Sequence, residues 1–103
     1  MTEEQLEGIW IVDPIKKTRL ASAEYHFGEH GEEVNAVDLD QYVRQALAFR
    51  EEAKKRNGAG KAVFGKTPGV RCWKKLGHFI HLTPNNEIAS FGNSGGIQNV
   101  DVY

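Results

Sequence analysis

The chain has 103 residues, 40% of them hydrophobic, a formal net charge of −1 and one cysteine. That length supports one domain with one core that folds without staples. No apolar run approaches the ~18 residues of a membrane span, no basic-then-apolar signal opens the chain, and a lone Cys72 excludes an intrachain disulfide and a multi-cysteine zinc site.

The charge is unevenly placed. Residues 1–52 hold 5 Lys/Arg against 12 Asp/Glu, whereas residues 53–103 hold 8 against 2. All eight basic residues of the second half fall between Lys54 and Lys75, with no acid among them. Such segregation suggests a polyanion-binding face, although a lysine-rich solvated strand surface gives the same count.

In chain order, residues 1–8 are polar and expected to be loose, and residues 1–20 are expected to be a linker or a docked arm. Gly8-Ile9-Trp10-Ile11-Val12, ended by Asp13-Pro14, reads as a short docked strand rather than a helix. Ser22 is the expected cap of a helix over 22–34, weakened by Gly28 and Gly31 and ending near Gly31. A stronger helix follows. Asp38-Leu39-Asp40-Gln41 has capping-box spacing, and Leu39, Tyr42, Val43, Ala46, Phe49 and Ala53 recur on one side, opposite Arg44, Gln45, Glu51 and Glu52. Lys54, Lys55 and Arg56 suit its C-terminal end and Asn57-Gly58 stops it.

Beyond Gly58 the period becomes two. Lys61–Lys66, Val70–Leu76, His78–Leu82, Glu87–Phe91 and Ile97–Tyr103 read as short strands. Turn chemistry separates them at Thr67-Pro68-Gly69, Leu76-Gly77, Thr83-Pro84-Asn85-Asn86 and Asn93-Ser94-Gly95-Gly96. Helices followed by consecutive antiparallel strands predict an α+β fold, with the N-terminal helices on a sheet of four to five short strands.

His26 and His30 are spaced to share a helix face. Three roles are open to them: a metal site, acid–base chemistry, or plain structure. A zinc site needs a third ligand, for which Glu33, His78 and His81 are available without any spacing that demands one. Histidine's ordinary pKa suits proton shuttling at neutral pH. In the sheet, alternation puts Arg71, Trp73 and Lys75 on one face and Val70, Cys72 and Lys74 on the other; His78, Ile80 and Leu82 oppose Phe79 and His81. Such mixing of cationic, aromatic and apolar residues suits a working surface, or a buried Trp73 beneath lysine stems. Cys72 reads as a small buried residue. Thr67 and Ser90 are each satisfied by structural roles, in a turn and in a strand. There is no phosphate-loop glycine pattern and no Gly-x-Ser-x-Gly elbow.

Four blocks together carry a resemblance: Y-H-F-x-x-H-G-x-E-V from Tyr25, D-x-D-Q-Y-V-R-Q-A-L-A-F-R from Asp38, G-K-T-P-G-V from Gly65, and F-I-H-L-T-P-N-N-E-I-A-S-F-G from Phe79. In this order they resemble C-terminal toxin domains of bacterial contact-dependent inhibition and other polymorphic toxin systems, the fold group of barnase, EndoU, colicin D and RelE (BECR). The resemblance implies a metal-independent endoribonuclease without cofactors, frequently aimed at tRNA, that leaves 2′,3′-cyclic phosphate and 5′-hydroxyl ends. It implies as partners RNA and a cognate immunity protein, here expected to be acidic and to cover Lys61–Lys75, with no membrane partner for the domain itself. It also implies a secreted or cell-surface effector acting in the target cell's cytoplasm.

The candidate catalytic residues are His26, His30, Thr67, Arg71 and Ser90, and the candidate substrate-binding residues are Lys66, Trp73, Lys74, Lys75 and His81. Sequences of this kind carry Arg-Tyr where this chain has Cys72-Trp73, and aspartate where it has His81. Arg71 is thus the candidate substitute for the displaced arginine, although alternation turns it away from the face of position 72. The alternative is a nucleic-acid-binding module that uses the basic sheet without cleaving.

Overall fold

The structure is a computed structural model that describes residues 1–56, 61–62 and 69–93. Helices α1 (Arg19–His30) and α2 (Leu39–Arg56) precede four antiparallel strands, β1 (Lys61–Ala62), β2 (Arg71–Lys75), β3 (His78–Leu82) and β4 (Ile88–Asn93), which lie side by side in chain order. The fold is α+β, two helices packed on a four-stranded antiparallel sheet. The stop at Asn57-Gly58, strand residues 63–66 and 97–103, and turn residues 67–68 and 94–96 lie outside the described residues. No described helix is long and apolar enough to cross a membrane.

Helix α1 begins at Arg19, earlier than the Ser22 cap implied. Thr18 is the cap, its Oγ1 accepting the Ala21 N–H at 3.0 Å. Ser22 is buried inside the helix, where its hydroxyl accepts the Trp10 indole N–H at 3.2 Å. After His30 the helix passes through Gly31, still in helical conformation, into a 3-10 turn that ends at Asn35 with positive φ. A Cβ on Gly31 would stand 2.6 Å from both the ring and the carbonyl of Phe27, so the turn into the 3-10 segment Glu32–Val34 requires glycine. Helix α2 is capped as its spacing predicts: Asp38 Oδ1 accepts the Gln41 N–H at 2.8 Å, and Gln41 Oε1 reaches back to the Val37 N–H at 2.7 Å. Tyr42, Val43, Ala46 and Ala53 are buried from it. Gln45, expected on the outer side, is instead half-buried and donates to the Val34 carbonyl at 3.2 Å.

The first residues are docked, not loose. Leu6 is fully buried in a 3-10 turn, and both Glu3 carboxylate oxygens accept backbone N–H groups of α1, from Arg19 and Leu20, at 2.9 Å each. Those bonds hold the Glu3 carboxyl below its ordinary pKa. Further on, the Ile88 N–H donates to Ile9 O at 2.7 Å and Ile11 N–H donates to Ile88 O at 3.0 Å, a parallel bridge centred on Trp10. Burying the whole of Trp10 against Tyr42 anchors this arm.

Register fixes what each sheet face carries. Trp73, Ile80 and Phe91 lie in one cross-strand row, and Arg71, Leu82 and Ile88 in another, on the face covered by α2. Lys61, Cys72, His81 and Ser90 form a row on the opposite face, next to Lys74, Phe79 and Gly92. An irregularity between His81 and Leu82 lets β4 carry Ala89 as an extra residue. The β2–β3 hairpin turns on Leu76 and Gly77, both at positive φ (52° and 81°), which matches a two-residue primed turn.

The outer edge of β4 is closed by side chains. The Tyr42 hydroxyl, buried under α2, donates to the Phe91 carbonyl, and Glu33 Oε1 accepts the Asn93 N–H at 3.0 Å. Burial holds the Tyr42 hydroxyl far above its ordinary pKa, so it remains a donor. Replacing Tyr42 by Phe strands a buried carbonyl. The Tyr42→Phe domain should lose ~1–3 kcal/mol of stability in urea unfolding while keeping its fold; an unchanged urea midpoint would remove this bond from the account of the edge.

Candidate functional site

Helix α1 runs along β4, and its histidine side reaches over the sheet face that α2 leaves uncovered. His26 and His30 are one turn apart, so their rings lie nearly parallel, 10° between planes and 6.1 Å between centres. His30 meets the Phe79 ring edge-on at 5.5 Å, and Phe79 in turn lies 5.2 Å from His81. His81 faces Cys72 on one side and Ser90 on the other. Four of the expected residues therefore meet: His26, His30, His81 and Ser90. His81 and Ser90 are 1% and 2% exposed and form the floor, whereas the His30 side chain, 23% exposed, forms the rim.

The two helix histidines live in different surroundings. His26 is 6% exposed, packed between the rings of Trp10 and Tyr25, and its Nδ1 finds no hydrogen-bond partner among the described residues. Burial, and secondarily the neighbouring His30, lowers its pKa to about 4; Asp13 opposes this, and His81 and Lys16 add to it. His26 is neutral at pH 7. His30 instead places Nδ1 3.0 Å from Glu33 Oε1, and its imidazolium therefore has a counter-ion to hand.

The other expected residues are distributed by the pleat. Lys74 is exposed on the histidine face, as is Lys61, which sequence reading placed only within the partner-binding stretch. Trp73 is 7% exposed within the main core beneath α2, so it is not a stacking platform on this face. Lys75 also lies on the α2 face, where its ammonium is 2.7 Å from Glu52 Oε1. Arg71 sits in the row of Leu82 and Ile88, on the face opposite Cys72, and does not take the place of an arginine at position 72. Lys66 and Thr67 lie outside the described residues. Two side chains outside the expected site residues complete the cluster: Phe79, which spaces His30 from His81, and Glu33, whose spacing allowed it to converge with the two histidines. The His30–Glu33 spacing was the available signal.

Among the described residues no three His, Cys, Asp or Glu side chains converge to hold a metal ion. A cavity of about 480 Å³ lined by Phe49, His78 and Phe91 opens on the α2 side, away from this cluster. No family model, curated protein or solved structure matches the chain. What the fold and the cluster define is an α+β domain with a histidine-lined sheet face.

The low pKa of His26 has a sign that can be checked. Below about pH 6.5 the unfolded chain takes up a proton at this position that the folded domain refuses, so stability falls as the pH drops towards about 4 and then levels off. The full effect is about 3 kcal/mol. A His26→Phe domain should lose this part of the slope and match the parent near neutrality; a parent-like slope between pH 4 and 6.5 would place the acid sensitivity elsewhere.

Proposed function

We propose that the domain is a metal-independent endoribonuclease, with His26 and His30 as its proton-transfer pair. The observation that carries this reading is the pair of parallel imidazoles 6.1 Å apart in opposite electrostatic surroundings. Cleavage needs one group to take the proton from the 2′-hydroxyl as O2′ attacks phosphorus, and another to protonate O5′ as the P–O5′ bond breaks. The base must start neutral and the acid must carry its proton, so groups in unlike surroundings can divide these tasks. His26, held neutral, has the protonation state of the base; His30, backed by the Glu33 carboxylate, has the support an acid requires. Lys61 and Lys74 supply positive charge for the RNA backbone, and Ser90 and His81 are donors beneath the phosphate. The products are a 2′,3′-cyclic phosphate and a 5′-hydroxyl, and the need for a 2′-hydroxyl restricts the reaction to RNA.

The motif resemblance extends this reading to a bacterial toxin domain, with tRNA as the favoured target and an acidic immunity protein that competes for the Lys61 and Lys74 face. Opposite charge on such a partner accelerates association and makes it salt-sensitive. A binding module centred on Trp73 is less well supported, since that ring is in the core.

Incubation of the domain with total RNA in chelator should yield fragments ending in cyclic phosphate. Intact RNA would favour binding alone, and 3′-hydroxyl products made only with magnesium would favour metal-assisted hydrolysis. His26→Ala and His30→Ala should each lower the rate on the order of 10²–10⁴-fold. The Michaelis constant should rise steeply with salt, and Lys74→Ala should flatten that dependence; a salt-independent constant would remove the sheet face from RNA binding.

A further inference from the structure

We propose that Glu33 is the positioning residue of His30, its carboxylate fixing the imidazole with Nδ1–H donated inward and Nε2 left for the substrate. This rests on the reading of His30 as the acid. One oxygen, Glu33 Oε1, lies 3.0 Å from His30 Nδ1 and 3.0 Å from the backbone nitrogen of Asn93. An ionised carboxylate only accepts hydrogen bonds, so with Asn93 N–H as one donor, Nδ1 must be the other. The tautomer follows from the chemistry of the acceptor.

The carboxylate is itself held in place from two sides. Glu33 belongs to the 3-10 turn that Gly31 makes possible, and its oxygen is pinned to the end of β4. The imidazole is confined as closely, with the His26 ring parallel to it and Phe79 against its edge. Beneath the pair lies Gly92, where a Cβ would stand 2.6 Å from Glu33 Oε1, 2.9 Å from Phe79 Cε1 and 3.0 Å from His30 Cγ. The sheet lacks a side chain where the dyad rests. A carboxylate placed only to satisfy an edge amide would not need an imidazole locked against it, and this double use separates positioning from plain edge capping.

The test reads His30 directly. Imidazole ¹⁵N shifts of the RNA-free domain, at a pH where the rings are neutral, should report the Nδ1–H tautomer in the parent and a shift towards Nε2–H in Glu33→Ala. In turnover, Glu33→Gln, which retains an acceptor for both donors but no charge, should lower kcat about 10–10²-fold and leave KM within about threefold. The His30→Ala/Glu33→Ala double variant should be no slower than His30→Ala alone, because Glu33 acts only through that ring. Identical tautomers in parent and Glu33→Ala, or fully additive losses, would overturn the proposal. If Glu33→Ala does not fold, Glu33→Gln decides through its kcat-against-KM split, a parent-like kcat overturning the proposal. The tautomer measurement needs no RNA, so it succeeds or fails independently of the ribonuclease reading.

Discussion

The outer edge of β4 is the constraint on which the rest of the structure depends. A last strand in a four-stranded sheet presents unpaired N–H and C=O groups, which are costly if buried and hazardous if left open. This chain closes that edge with three unrelated segments: the arm at Ile88, the Tyr42 hydroxyl at Phe91 and the Glu33 carboxylate at Asn93. Each closure places something else. The arm brings Trp10 beneath α1, where its indole meets Ser22 and its ring lies 6.1 Å from that of His26. Tyr42 ties α2 to β4. Glu33 brings the turn after α1 to the sheet and holds His30 there. The site is therefore built from the same bonds that finish the sheet.

The histidine pair shows how one helix face yields two chemical characters. Four residues of helix separate His26 from His30, and that spacing alone gives them a common direction. Their difference comes from depth. His26 lies on the side of α1 that packs towards Trp10, where its charge has no solvation, and His30 lies one turn further on, where the helix ends and Glu33 is in reach. The surroundings of the pair thus differ because His26 lies inside the packed part of α1 and His30 at its end, beside Glu33.

Much of this was legible in the sequence, for reasons that can be stated residue by residue. Helix α2 could be read because its cap and apolar face are both local, and β2, β3 and the turns at Leu76-Gly77 and Thr83–Asn86 could be read from alternation and turn residues. Arg71 could be placed opposite Cys72 by alternation alone. Alternation could not say which face α2 would cover, so Trp73, Lys75 and Lys74 were grouped as one binding surface although the pleat divides them. Thr18 was overlooked as a cap because Ser22 satisfies the same local rule. The Glu3 contacts with α1 and the Glu33 bond to Asn93 depend on tertiary approach and have no local signature. His26 and His30 stood out by their helical spacing, whereas their approach to His81 depends on how α1 packs on the sheet.

The parallel bridge between Trp10 and Ile88 also bears on how the domain comes to be folded. It joins the beginning of the described chain to the last described strand, so contacts remote in sequence are among those that complete the core. Loop-closure entropy must be overcome before these contacts return any stability. An incompletely folded chain therefore has no finished edge, no buried Trp10 and no seat for His26 until β4 has arrived. Helix α2 rests on local contacts, but the histidine face needs α1, the arm and β4 together, so it is completed only when the long-range contacts form.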